Sequence, residues 1–182
     1  AWTEVGDLNT GRYGGTSGGT STAAFMGGGN ASGSVEAETE TWNGTSWTEV
    51  GDLNTARGGM AGDGTITAMF AAGGYASGEV AVTEHYDGSS WTEVADLTTA
   101  REQGGGAGTQ TLSLVHGGLE PARSGKTEQF DGISWTEVAD LATVTRAHGS
   151  TGTQVLALAA GGDTPASPTK SSGKTEEWTV PQ

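Results

Sequence analysis

A chain of 182 residues with 33 glycines and only 33% apolar residues cannot be a helical bundle, because each interior glycine weakens a helix by about 1 kcal/mol relative to alanine. Its formal net charge of −14, from 22 acidic and 8 basic side chains, repels phosphate backbones and anionic lipid, so nucleic acid and membrane are not expected as partners. The absence of cysteine removes disulfides and thiolate zinc sites, and with no leader-like start and no apolar stretch near ~18 residues, neither a signal peptide nor a membrane span is expected.

Read in chain order, the sequence is one unit repeated. Trp-Thr-Glu-Val occurs at Trp2, Trp47, Trp91 and Trp135, spaced by 45, 44 and 44 residues, a period that signals small stacked sheets in a single domain spanning 1–182. After the opening strand Trp2–Val5 come Arg12 and Tyr13, a glycine-loaded stretch to Gly19, an apolar run ending in Gly28-Gly29, a loop from Asn30 to Glu38, and a strand reaching Trp42. The second unit repeats this with Arg57, Gly58-Gly59, the apolar run 66 to 72, Gly73-Gly74, Tyr75, Val82–Tyr86 and Trp91–Val94. Four short strands fit each unit, here a, b, c and d. Asp63-Gly64 and Asp87-Gly88 are expected to be two-residue hairpin turns with positive φ, and Asn43-Gly44 and Asp131-Gly132 repeat the second of them. No calcium-loop string of alternating aspartates surrounds them. The third unit has Arg101, Gly104 to Gly106, Gly117-Gly118 and Phe130. The fourth departs: aligning Gly152-Thr153-Gln154 with Gly108-Thr109-Gln110 puts Thr145 at the arginine position and moves Arg146 one residue on. Glycine within strand a points to close approach of another backbone, as around a central axis.

The recurring arginine, glycine-rich strand, apolar strand ending in Gly-Gly, strand-c aromatic (Trp42, Tyr86, Phe130, Trp178) and strand-d tryptophan resemble the kelch repeat of β-propellers over the whole chain. The resemblance implies an all-β fold, a four-bladed kelch-like β-propeller with strand a innermost. Because the chain begins with a strand d and ends after a strand c, Trp2–Val5 is expected to join the last blade and close the ring. Kelch propellers commonly have more blades, so the alternative is that the chain is half of an eight-bladed dimeric ring. The closely similar, Gly/Thr-rich units also resemble those of phage and environmental propellers.

Strand alternation places the d–a and b–c connections on one face of the disc, where the variable b–c loops, the longest being Asp163 to Lys174 with Pro165 and Pro168, are the expected binding surface. Arg12, Arg57 and Arg101, with Arg146 in the displaced place, could ring the channel mouth and hold a carboxylate or sulfate. Alternatively they pair locally with Asp7, Asp52 and Asp96, five residues earlier. Tyr13 and Tyr75 near the same face could stack on a sugar.

Signals for catalysis are weak. Gly15-Thr16-Ser17-Gly18-Gly19 matches a nucleophile-elbow string but lies in a strand, not between strand and helix. His85, His116 and His148 fall at unrelated positions, which leaves a zinc hydrolase unsupported. Glu40, Glu84, Glu128 and Glu176 recur in every unit, which suits scaffold roles such as bonding loop amides. Asn30-Ala31-Ser32 and Asn43-Gly44-Thr45 are glycosylation sequons that matter only in a secreted eukaryotic chain. The expectation is therefore a soluble, non-catalytic scaffold with no cofactor and no metal, binding a protein or carbohydrate as a monomer, or as a homodimer if eight-bladed. A virion- or tail-associated, or otherwise extracellular, adhesin is one specialisation. A recently amplified or engineered scaffold without a ligand, and a channel-sited lyase or glycosidase, are the alternatives.

Overall fold

A computed structural model of the chain describes residues 1–165 and 171–180, so Pro168 lies outside the described residues. The fold is all-β, four antiparallel sheets forming a four-bladed β-propeller. Blade 1 holds β1 (Thr16–Thr20), β2 (Ala23–Ala31), β3 (Ser34–Trp42) and β4 (Trp47–Glu49); blade 2 holds β5 (Ala61–Thr65), β6 (Ala68–Ala72), β7 (Thr83–Tyr86) and β8 (Trp91–Glu93). Blade 3 is built from β9 (Gly105–Gly108), β10 (Ser113–His116), β13 (Thr127–Phe130) and β14 (Trp135–Val138), with the hairpin β11 (Leu119–Glu120) and β12 (Ala122–Arg123) in its b–c loop. Blade 4 has three strands, β15 (Gly149–Gly152), β16 (Leu156–Ala160) and β17 (Thr175–Thr179).

The inner strands meet backbone to backbone. A Cβ on Gly106 would stand 2.5 Å from the Gly62 nitrogen, and one on Gly62 would stand 2.1 Å from Thr16 Oγ1. Strand a therefore carries glycine despite its poor strand propensity. Farther out, bulky side chains fill the wedge between sheets. Phe25 of blade 1 packs with Met69, Ala71, Tyr86 and Trp91 of blade 2, and Phe70 of blade 2 packs with Val115, Phe130 and Trp135 of blade 3. The Gly-Gly pairs pin these junctions together. Gly29 N donates to Arg57 O (2.9 Å), Gly74 N to Arg101 O (2.8 Å) and Gly118 N to Thr145 O (2.8 Å), each bond running from one blade to the start of the next.

Two expectations need correction. Asp63-Gly64 is not a turn: it lies inside β5, Thr65 pairs with Ala68, and the bend falls at Ile66-Thr67. Asp63 Oδ1 instead accepts the Gly64 amide at 2.7 Å, which satisfies locally what a turn would have satisfied. The c–d connections are four residues long, and Gly44, Gly88 and Gly132 do take positive φ there. In one of them Asp87 Oδ1 accepts the Ser89 and Ser90 amides (2.8 and 2.9 Å), an Asx turn. The second correction concerns the seam. Trp2–Val5 forms no strand, Trp2 is fully exposed, and the outer edge of β17 pairs with nothing among the described residues. β1 lies beside β5, β5 beside β9 and β9 beside β15, but no comparable packing joins β15 to β1. Four blades close a ring only if each turns a quarter circle from the last. Between blades 4 and 1 that inner-strand packing is missing, so the first and last blades are not joined as the other neighbours are.

Candidate functional site

The recurring arginines turn into the blades. Their side chains are 0–1% exposed at Arg12, Arg57 and Arg101, so they do not present an open cationic ring at the mouth. Nor do they pair with Asp7, Asp52 and Asp96. Each reaches the strand-c glutamate of the same unit: Arg12 to Glu40 (2.6 Å), Arg57 to Glu84, and Arg101 to Glu128 (2.6 Å). Arg57 turns further donors to the carbonyls of Gly73, Thr55 and Ala71, so every nitrogen of the buried guanidinium has a partner. The same glutamates hold the loop before each blade. Amides of Asn9, Asn54, Thr98 and Ala142 donate to Glu40, Glu84, Glu128 and Glu176 at 2.6–2.8 Å, which is the loop-amide role read from their repetition.

Above this framework the backbone forms a partial girdle along the mouth, from Gly14 to Ala147. Gly59 N donates to Gly14 O, Gln103 N to Gly59 O and Ala147 N to Gln103 O, at 2.6, 2.6 and 2.8 Å. All four residues are left-handed, with φ of +67° at Gly14, +67° at Gly59, +57° at Gln103 and +52° at Ala147.

Next to the girdle lie two rows of equivalent positions joined by single bridges: Tyr13 with Asn30, Gly58 with Tyr75, Glu102 with Leu119, and Arg146 with Asp163. Arg146 thus occupies the place of Tyr13, not of Arg12, as the one-residue displacement implies. These rows carry what the repeat does not dictate. Tyr13 and Tyr75 are 72% and 42% exposed and belong to adjacent blades. Asp163 Oδ2 accepts Arg123 at 2.7 Å and Arg146 at 3.0 Å, and the Arg123 hydrogen bond is the main cause of its lowered pKa. Glu102 has its pKa raised by burial and then by the charge of Glu79. The face therefore combines two phenol rings, two carboxylates and a carboxylate shared by two half-exposed guanidiniums. Sequence reading singled out Tyr13, Tyr75 and Arg146 but missed Glu102, Arg123 and Asp163, whose grouping depends on the bridges between loops.

An axial groove of about 200 Å³ runs along the inner strands, lined by residues 15–17, 60–62, 104–106, His148 and Ser150. There His148 Nε2 meets His116 Nδ1 at 2.9 Å, and His116 Nε2 meets Ser150 Oγ at 2.9 Å. His148 Nδ1 is buried without a partner. A bare ring nitrogen is tolerated better than an orphaned N–H, which directs the chain so that His148 donates to His116 and His116 donates to Ser150. Burial, followed by the charges of His148 and Arg101, pushes the His116 pKa down to about 3. With its Nε2 already carrying the proton and so little basicity, His116 is not disposed to take a proton from Ser150.

No protein-family model and no curated protein matches the chain. Among solved structures 151 chains match. One, described as the structure of YjhT, superposes with a TM-score of 0.79 at 12% identity, covering 96% of this chain and 68% of that one. At that identity the likeness establishes the β-propeller fold alone.

Proposed function

We propose that the chain is a non-catalytic β-propeller scaffold of the kelch-like kind whose loop face binds a protein or a glycan. The observation that carries this is the division between constant and variable positions. The arginine–glutamate pairs and Gly-Gly staples below the face recur from blade to blade, whereas the bridge rows above them hold a different side chain in nearly every blade. A repeated framework under a non-repeated surface is the arrangement of a binding protein. Exposed tyrosines beside carboxylates suit the apolar face and hydroxyls of a sugar ring, or a peptide with basic residues, and the net charge of −14 favours the latter's approach.

The competing reading, a channel-sited lyase or glycosidase, draws support only from the His148–His116–Ser150 chain. No aspartate or glutamate lines the axial groove among the described residues, while glycosidic cleavage ordinarily uses a pair of carboxylates. The experiment is a glycan and peptide array probed with the wild type and with Tyr13→Ala/Tyr75→Ala, followed by turnover assays on every hit. Binding that falls at least tenfold in the double variant, without turnover, supports the proposal. Product formation, or binding indifferent to both tyrosines, overturns it. Use as a virion-associated adhesin is a specialisation that the same hits would identify.

A further inference from the structure

We propose that the cavity at the entry to blade 4, where Thr145 stands in place of the arginine of the other blades, binds a guanidinium group brought by a ligand, with Glu176 as its counter-charge. The site goes beyond the loop-face reading above and does not involve Tyr13 or Tyr75. Its chemistry is defined by the chain's own arginines. Arg57 donates to the carbonyls of Thr55 (2.9 Å), Gly73 (2.9 Å) and Ala71 (3.2 Å) and to the Glu84 carboxylate. Arg101 repeats this with the Gly117 carbonyl (3.2 Å) and Glu128 (2.6 Å). In the strand pairing Ala159 faces Glu176 as Ala71 faces Glu84, so the same groups in blade 4 are Thr143, Gly161, Ala159 and Glu176. All four line one cavity together with Thr145.

The acceptors are in place and the positive charge is not. Glu176 holds the Ala142 and Thr143 amides at 2.7 and 2.9 Å, as Glu84 holds those of Asn54 and Thr55, so its carboxylate is oriented as in the blade that Arg57 fills. Thr145 Oγ1 turns to the carbonyls of Gly161 and Asp163, each at 3.4 Å, and carries no charge to offset Glu176. Neither neighbouring cation takes the arginine's place. Lys174 Nζ donates to Thr143 Oγ1 at 3.2 Å, the bond that Lys126 makes to Thr99 at 3.3 Å in blade 3 with Arg101 present. Arg146 is engaged by Asp163 at 3.0 Å. A carboxylate ringed by carbonyls calls for a cation that donates in several directions within one plane, which is a guanidinium. The cavity, of about 10 Å³, has room for one water-sized group. It admits one NH2 of the fork against Glu176, and the rest of the head lies beside half-buried Ser172 and exposed Lys174 of the b–c loop. The net charge of −14 favours the approach of such a cation.

The probe is methylguanidinium chloride, titrated into the full chain while backbone amide resonances are followed by NMR. The Ala142 and Thr143 amides, bonded to Glu176, should shift saturably with a Kd of about 1–10 mM. Those of Asn54 and Thr98, bonded to Glu84 and Glu128 beside resident arginines, should not move. Thr145→Arg fills the cavity from within and should abolish the saturable shift. Glu176→Gln, which keeps an amide acceptor without the charge, should weaken binding at least tenfold. Unchanged resonances elsewhere show that a variant is folded, and the wild-type titration decides the matter if either variant is not. An acetylated and amidated Gly-Arg-Gly peptide distinguishes the two sources of the group: tighter binding than methylguanidinium assigns it to an arginine side chain, weaker binding to a free small compound, and either supports the site. The absence of a saturable shift, an equal response at Asn54 and Thr98, persistence of the shift in Thr145→Arg, or equal saturation by n-propylammonium or calcium chloride each overturns the proposal.

Discussion

At residue scale the left-handed girdle separates what the repeat tolerates from what suits it. Gly14 and Gly59 occupy their positions without cost, but Gln103 and Ala147 hold the same conformation with a Cβ. That conformation costs an L-residue about 1–2 kcal/mol, offset in part by the greater freedom glycine has when unfolded. Ala147→Gly should consequently stabilise the protein by ~0.5–1 kcal/mol, read as a higher urea midpoint at unchanged slope, and Gly59→Ala should lower it by about the same amount. Equal midpoints for both variants would show that the girdle does not enforce these angles.

At the scale of the element, strand c and the loop before strand a are held by one carboxylate. Glu84 accepts the Asn54 amide and side chain at 2.7 Å and neutralises Arg57, and the Glu84 and Arg57 side chains are both fully buried. Removing one partner of a buried pair leaves the other charge uncompensated, at about 3–5 kcal/mol. Glu84→Gln should therefore destabilise by that amount in equilibrium unfolding. Blade 4 supplies the control, because Thr145 stands where the arginine would be and Glu176, with no arginine partner among the described residues, accepts the Ala142 and Thr143 amides. Glu176→Gln should cost ~1 kcal/mol or less. Comparable losses at the two sites would refute the account. The repetition of these glutamates made their framework role legible, whereas the pairing with the arginines was not, because Glu84 is 27 residues from Arg57 and only the fold of strand c brings it nearer than Asp52.

For the whole molecule, the contact of blade 3 with blade 4 is built from Ala107, Leu114 and Ala157, with Val138 and Trp178 packed against them, and from the histidine chain. Burial lowers the pKa of His148 as well, with Glu176 opposing the shift. A histidine with a folded pKa below its ordinary value of 6.5 takes up a proton on unfolding between the two values. Its stabilising contribution is complete above pH ~6.5 and is lost as the pH falls towards the folded value, by up to about 1.4 kcal/mol per pH unit for each ring. Thermal unfolding should thus shift downward between pH 7 and pH 5, above the range where most carboxylates titrate. His116→Gln should flatten that slope, and a slope unchanged by the substitution would exclude the pair as its origin.

The sequence by itself determined the all-β architecture, the division of the chain into four repeated units and the places of their turns at Asn43-Gly44, Asp87-Gly88 and Asp131-Gly132, because period, glycine content and local turn chemistry act over a few residues and repeat. It also placed glycine where inner strands touch, since only backbone contact explains that composition. What only the tertiary structure decided is the partner of each arginine, the grouping of Glu102, Arg123 and Asp163 on the loop face, and the fate of the seam. Those depend on contacts between residues far apart in the chain, as where Phe25 packs with Met69, Tyr86 and Trp91 across a junction, and such contacts are fixed by the packing of whole sheets and not by any local pattern of residues.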